Sequence, residues 1–494
     1  MSSKAEKKGI TAKKTENFSD WFTQVVQKAE LADIRYGVQG FVVHRPWAMR
    51  IARKVYEYLE EAVEDDDHEP ILMPVAIPEA NLKKEEEHAG FVPEVFWITH
   101  AGTKELEMKL ALRPTGETQI YPMYSYWIRS YQDLPLKAYQ SRITVFRNEM
   151  TTRPFLRGRE FMFFETHDVF ETHDDAMAQI YKDMKIMENV AWKKLFVPSI
   201  FFRRPQWDKF KGADDTYASD TLNPDGRRNQ ISSTHDLGTN FAKAFDIKFI
   251  DKDGEQKLGV QTCFGPGIWR IMAAIFAIHG DDKGLILPYN IAPVQVIIVP
   301  ITFSGKKDVT AKIMEKGVEL VEILKKSGIR AKFDQREISP GEKYNDWEMR
   351  GVPLRLEVGP RELEQNTATI VRRVDRSKVK IELEEQKLLN GLSKSAEFND
   401  STLKKRAKQY FADNTKDAVT FDEIKEFLEK HRGFVKAPYC SIQMDGVSCA
   451  DKLKEETGAY VCGVPLKEDS VPENAVCAIC GTPAKHIVYM AKSI

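Results

Sequence analysis

Apolar side chains recur at helical spacing in two stretches near the start of the chain. Residues 18–32 set Trp21, Phe22, Val25 and Val26 on one face, and residues 47–63 do the same with Ile51, Val55, Tyr58, Leu59 and Ala62, so two amphipathic helices are predicted. The acidic run from Glu64 to Asp67 then reads as a solvated loop. From there the period shortens. Pro70, Pro74 and Pro78 punctuate an apolar strand, which fits a sheet edge or a subunit interface because proline brings no backbone donor. Leu110 to Leu112 reads as a strand that turns at Pro114 into a helix, with Thr115 and Thr118 as candidate caps. Ile143, Val145 and Phe146 begin one strand and residues 161–164 another. The loop between them, carrying Arg153, Pro154, Arg157 and Arg159, predicts an antiparallel hairpin. Gly265-Pro266-Gly267 precedes a strongly apolar helix over residues 271–278. A strand at 293–300, a helix face of Val309, Ile313, Leu320 and Leu324 ending at Gly328, and a strand at 329–333 predict a small mixed α/β domain. Charge-rich helical sequence at 401–409 and again from Phe421 leads into a cysteine-bearing end.

Composition narrows the function classes. A chain of 494 residues holds two to four domains. Its net charge of −1, with 30% charged residues, leaves a nucleic-acid partner to local basic patches and not to a global field. No apolar run approaches the ~20 residues of a membrane helix, so no membrane partner is expected. The lysines at 4, 7, 8, 13 and 14 lack the apolar core of a signal peptide and read as a short basic disordered tail. A cytoplasmic setting follows, in which cysteines are thiols or metal ligands. Cys477-Ala-Ile-Cys480 is half of a zinc knuckle, and Cys440 and Cys449 complete a set of four thiolates, the chemistry of a closed structural zinc site. Four free cysteines are the bland alternative. Cys462 is left over, and Cys263 reads as a small buried apolar residue.

The hairpin carries the chemistry. Guanidiniums held at this density by two strands suit a polyphosphate on which charge develops, although a surface hairpin laced with ion pairs would look alike. Its detail is more specific. Phe146-Arg147-Asn148-Glu149, a loop, then Arg157 with Phe161 four residues on, resembles motif 2 of class II aminoacyl-tRNA synthetases. The helix before the proline-marked strand resembles motif 1, the dimer element of that class. The segment Thr262 to Arg270 resembles motif 3. Arg113-Pro114-Thr115-Gly116-Glu117-Thr118 is similar to the proline-binding loop of prolyl-tRNA synthetases. Gly116 stands where that family often has serine, which predicts a looser turn. Gln230 to Phe241 resembles the family's Gln-x-x-Thr-Ser-His-x-Leu-Gly-Gln-Asn-Phe segment. Residues 340–361 resemble the anticodon-binding domain shared by the prolyl, threonyl, glycyl and histidyl enzymes. The cysteine region, with Lys454 to Ala459 and Ala491-Lys492-Ser493, resembles the C-terminal zinc domain of the archaeal and eukaryotic type, whose members usually end in tyrosine where this chain has Ile494.

The chain is thus identified as a member of the archaeal/eukaryotic-type prolyl-tRNA synthetase family, and the resemblance sets the remaining expectations. The implied fold is α+β: an antiparallel class II sheet with flanking helices over 18–290 after the tail of 1–17, an α/β anticodon domain over 291–385, and a zinc-binding α+β domain over 386–494. Arg147, Glu149 and Arg270 are the implied catalytic residues. Thr115, Glu117, Arg147, Phe163, Glu165 and His235 would bind proline, and Arg147, Glu149, Arg157, Gly158, Phe161, Gln230, Ser233 and Arg270 would bind ATP with magnesium. Glu348, Arg355 and Arg361 would read the anticodon of tRNA(Pro), and Cys440, Cys449, Cys477 and Cys480 would hold zinc. A homodimer is implied. The 112 residues between Arg157 and Arg270 leave no room for the editing insertion of bacterial-type relatives. Phe163-Phe164-Glu165 where Trp-Gln-Glu is common, and Gly158 where threonine is common, keep two alternatives open: a synthetase-like RNA-binding or regulatory protein, or a sister synthetase for another amino acid.

Overall fold

The computed structural model describes residues 9–89, 94–302, 307–430 and 432–494; Lys4, Lys7 and Lys8 of the expected tail lie outside them. The two N-terminal helices form as predicted, Phe18–Lys28 and Pro46–Glu64. The Asn17 side chain caps the first by accepting the Asp20 N–H at 3.1 Å. The tail departs from expectation. From Gly9 onward it lies against the body: the Thr11 N–H donates to Gln24 Oε1 at 2.7 Å, and the Lys14 ammonium donates to the carbonyls of Ile278 and Gly280 at 3.1 and 2.6 Å. Those carbonyls end the Ile268–His279 helix. A helix C-terminus presents unpaired acceptors and the negative end of the dipole, so it draws in a lysine that composition alone would leave in solvent.

A sheet of eleven strands among the described residues organises the fold. Its middle runs in space as Ile200–Arg203, Asp215–Leu222, Arg228–Gly238, Val260–Pro266, Glu160–Phe170 and Leu136–Phe146, every neighbour antiparallel. Alternation along a strand sends neighbours to opposite faces. Phe264 joins the core formed with the Pro46–Glu64 and Ile268–His279 helices, whereas Cys263 joins the core beneath the Glu117–Trp127 and Asn240–Phe245 helices. The proline-marked stretch 70–78 is strand only at its ends. Glu69–Pro70 forms the edge of the eleven-stranded sheet, parallel to Leu136–Phe146, and Ala76–Pro78 belongs to a separate three-stranded sheet. Missing donors prevent a continuous ladder between them.

The anticodon-like unit is a mixed five-stranded sheet, ordered Ala331–Phe333, Val296–Pro300, Leu354–Val358, Thr367–Arg372 and Lys378–Glu382, with the first three parallel. The helix foreseen at 401–409 is the end of a much longer one, Glu385–Asp413. Its Leu388, Leu392 and Ala396 share a core with Leu354, Leu356 and Ile370, so the division drawn at 385 falls ahead of side chains that pack on this sheet. The C-terminal strands are continuous with the central sheet: Val464 and Pro465 pair with Arg203 and Phe202. Arg204 reinforces the junction. It is buried, grips Asp220 with two bonds of 2.8 Å, and donates to the Cys462 carbonyl at 2.6 Å. Burial alone would raise the Asp220 carboxyl, but Arg204 and Arg228 hold it below the ordinary carboxylate range.

Candidate active site

The hairpin is Leu136–Phe146 against Glu160–Phe170, registered Val145 to Phe161 and Ile143 to Phe163. A bulge between Gln140 and Ile143 turns Arg142 outward, where its guanidinium makes bonds of 2.9 and 2.8 Å to Glu60 on the Pro46–Glu64 helix. The loop is rigid by construction. Arg153 and Arg157 exchange backbone bonds of 2.7 and 2.9 Å. Phe155, at φ +64°, buries its ring edge-on against Trp269 and Phe276. The strain of that backbone conformation is held by packing that also fixes Arg157.

A cavity enclosing about 1040 Å³, open mouth included, lies over the hairpin. Thr115, Arg147, Glu149, Arg157 and Gly158 line it, and so do Phe161, Phe163, Gln230, Ser233 and Arg270. The Arg147 guanidinium is exposed and has no hydrogen-bond partner among the described residues. Arg270, half-buried at the start of its helix, donates weakly to the carbonyls of Leu156 and Gln230 at 3.3 and 3.4 Å. Burial, with repulsion from Arg147 and Arg157, pushes its guanidinium down to about 10. Three like charges facing one space that Glu149 only partly offsets, at 3.7 Å from Arg157, form a site awaiting an anion. Gln230 is more committed than expected, since its Oε1 accepts from Arg204 at 2.9 Å.

Glu117, Glu165 and His235 lie beneath, all buried. Thr115 and Thr118 are not caps: Gly116 is the N-cap, and the Thr115 hydroxyl donates to the Glu117 carboxylate in the first helical turn. Nor is the turn loose at Gly116. A Cβ there would come within 2.1 Å of Glu165 Oε1, so the missing side chain is the space the Glu165 carboxylate fills. Gly265 plays the same part for Phe163, whose ring lies 2.9 Å from where a Cβ would sit. Gln140 donates to Glu165 Oε1 at 3.1 Å, while the buried Oε2 lies 3.3 Å from His167 Nε2. Burial holds His235 neutral, down to about 4, with its Nδ1 3.0 Å from the Thr216 hydroxyl. Guanidiniums facing the cavity, with the buried Glu117 and Glu165 carboxylates behind Thr115 and Gly116, suit a ligand that is anionic at one end and cationic at the other.

Sequence patterns missed several participants. His44 stacks on Trp269 at 4.1 Å, and the Gly40 carbonyl accepts the Arg159 N–H at 2.9 Å. Their partners lie more than a hundred residues away, and no local periodicity marks them. The chain terminus arrives too: Arg157 Nη2 donates to the Ile494 carbonyl oxygen at 3.2 Å, and Arg227 to that of Ser493 at 3.1 Å. In the C-terminal unit, Cys440, Cys449, Cys477 and Cys480 place their sulfurs within 4.8 Å of one another. The 3.8 Å between Cys440 and Cys449 matches the ~3.8 Å edge of a tetrahedron whose thiolates lie ~2.3 Å from zinc.

An antiparallel sheet presenting an arginine-bearing hairpin and a third arginine at a helix start, all facing one cleft, is the core of a class II aminoacyl-tRNA synthetase. Residues 96–279 match the family model "tRNA synthetase class II core domain (G, H, P, S and T)", 295–390 match "Anticodon binding domain", and 421–494 match "Prolyl-tRNA synthetase, C-terminal". The chain is 52% identical to the proline--tRNA ligase of Thermofilum pendens, over 98% of this chain and 99% of that one. It is 40% identical to that of Thermococcus kodakarensis, over 97% and 98%. The solved Giardia lamblia prolyl-tRNA synthetase in complex with prolyl-adenylate superposes with a TM-score of 0.93 at 35% identity, covering 98% of this chain and 100% of the other. The Cryptosporidium parvum enzyme complexed with halofuginone and AMPPNP gives 0.91 at 33%, covering 99% and 98%. The chain belongs to the prolyl-tRNA synthetase family.

Proposed function

We infer that this chain activates L-proline with ATP and transfers it to tRNA(Pro). The observation that carries the reading is the set of guanidiniums facing one cavity, Arg147, Arg157 and Arg270, with the buried Glu117 carboxylate behind its lining residue Thr115. The prolyl carboxylate attacks the α-phosphate, an O–P bond forms, and pyrophosphate departs with its electron pair. A ribose hydroxyl at the tRNA 3′ end then displaces AMP. Arg147, with no protein partner to leave, meets the charge that develops as carboxylate and phosphate approach. Arg157 and Arg270 hold the outer phosphates, Phe161 offers a face to adenine, and Ser233 and Gly158 line the nucleotide's path. Phe163, Thr115 and His235 shape the proline end. Catalysis is positioning and electrostatics, and no side-chain nucleophile is needed. Magnesium accompanies ATP and neutralises its phosphates, with Glu149 the carboxylate placed to favour it.

Zinc in the cysteine cluster is structural, because four thiolates leave no open position. Glu348, Arg355 and Arg361 read anticodon bases. Arg355, 9% exposed on the middle strand, lies 3.8 Å over the Tyr344 ring and bonds Glu348 at 3.0 Å, which holds its guanidinium in one orientation; Arg361 is exposed. The proline-marked stretch leaves Leu72 81% and Val75 42% exposed, which supports a homodimer closed through this face. Among the described residues no helix is long and apolar enough to cross a membrane. The test is ATP–pyrophosphate exchange followed by charging of tRNA(Pro). Proline-dependent exchange and prolyl-tRNA are expected, and exchange without proline dependence would refute the reading.

A further inference from the structure

Beneath the cleft is a group to which the activity assigns no role. His167 is 1% exposed. Its Nδ1 lies 3.0 Å from the Tyr121 hydroxyl and its Nε2 3.3 Å from Glu165 Oε2. The same ring comes within 4.8 Å of the Glu117 carboxylate and the Cys263 sulfur. The titratable neighbours are therefore Glu117 and Tyr121 from the helix above, Cys263 from the adjacent strand, Glu165 and Asp168 on its own strand, and His235 farther off. Burial raises Tyr121 and Cys263 well above their ordinary values, so both stay neutral. Burial opposes charge on His167 as well, but Glu165, Glu117 and Asp168 together outweigh it and lift the imidazole above its ordinary value.

We propose that His167 is the positioning residue for the substrate's secondary ammonium: its imidazolium holds the Glu165 carboxylate in the space left by Gly116, beside Glu117. This rests on the reading of the pocket as the proline site. A cyclic imino acid offers two N–H donors, and two carboxylates can accept both. Two carboxylates and one imidazolium leave the floor with one net negative charge, which the single ammonium cancels on binding. A primary ammonium brings a third donor, which must compete with Thr115, Gln140 and His167 for the same two carboxylates. Gly116 is part of the device, because a Cβ there would displace the Glu165 carboxylate from the position it holds here.

The test is proline-dependent ATP–pyrophosphate exchange by the full chain carrying His167→Gln, which keeps a donor near Nε2 without the charge, and separately Gly116→Ser. Wild-type kcat/KM for proline should fall at alkaline pH along a limb set above the ordinary imidazole value. His167→Gln should abolish that limb and raise KM for proline by roughly ten- to a hundredfold, with KM for ATP unchanged. Gly116→Ser should raise KM for proline and leave the limb in place. An unchanged KM for proline and an intact limb in His167→Gln overturn the proposal, as does a parallel change in KM for ATP, which marks a merely structural role. If His167→Gln does not fold, a wild-type profile without the limb, or Gly116→Ser with wild-type KM, overturns it. Absence of proline-dependent exchange in the wild type would instead refute the proline reading itself.

Discussion

At the scale of single residues, charge placed without a partner is the most informative feature of the cleft. Arg147 is exposed and has no hydrogen-bond partner among the described residues, so its guanidinium is free to meet an anionic ligand. Arg147→Ala should lower the exchange rate by about 10²–10³ and leave thermal stability nearly unchanged, because the guanidinium makes no hydrogen bond among the described residues; a differential scan alongside the exchange assay checks both. His235 is a contrasting case. Burial holds it down to about 4, so it is neutral through the working range and should contribute no titration to the activity between pH 6 and 9. Much at this scale was legible in the sequence. Arg147, Arg157 and Arg270 were picked out because local motifs surround them, and the structure brings all three to one cavity. Gly116 was misjudged because glycine read alone signals freedom. Only the fold shows that Glu165, 49 residues on, occupies the vacated space.

At the scale of elements, hydrophobic periodicity predicted the N-terminal helices, both hairpin strands and the strand–helix–strand of the anticodon-like unit, since each is fixed by which face it buries. It failed where backbone pairing decides. The proline-marked stretch breaks between its ends, and the Glu385–Asp413 helix runs through a charge-rich region whose helical face is apolar in only a few places. The joining of the C-terminal strands to the central sheet was invisible for the same reason. That junction gives a stability prediction. Asp220→Ala leaves Arg204 and Arg228 buried without their shared carboxylate and should cost about 3–5 kcal/mol, measurable by denaturant unfolding. The linkage sign follows from the lowered Asp220 carboxyl: its contribution is full above the ordinary carboxylate range and is lost as pH falls through the folded value. The cysteine cluster gives another. Removing its metal with a chelator should unfold the C-terminal strands first, lost far-UV signal preceding loss of proline activation, and elemental analysis should find one zinc per chain.

At the scale of the whole molecule, the catalytic and anticodon-like units are tied by Arg373, which is buried and bonds Asp281 at 2.8 and 2.5 Å, while its Nε donates to the Glu348 carbonyl at 2.9 Å. Trp347, Met349 and Val352 also pack into the core of the Pro46–Glu64 and Ile268–His279 helices, but Glu348, Arg355 and Arg361 do not line the cleft, so tRNA charging and proline activation should respond separately to their substitution. Glu348→Ala, Arg355→Ala and Arg361→Ala should each weaken tRNA charging by roughly 1–3 kcal/mol and leave exchange nearly untouched; equal losses in both assays would show that these side chains do not read tRNA. Size selection sets another limit. A pocket that admits the proline ring cannot exclude alanine by collision, and a methylene or two discriminates by only ~1–3 kcal/mol. Alanine should therefore enter the adenylate step at high concentration. With no inserted domain between Arg157 and Arg270, alanyl-tRNA(Pro) should persist in the presence of this chain alone.

The central claim is that a cleft faced by guanidiniums, with buried carboxylates behind its lining, activates proline in preference to other amino acids. ATP–pyrophosphate exchange across the twenty amino acids, with the purified full chain at limiting substrate, measures this most directly. Proline should give the highest kcat/KM, with alanine next among the small amino acids and visible only at high concentration. Equal or faster exchange with any other amino acid, or none with proline, would contradict it.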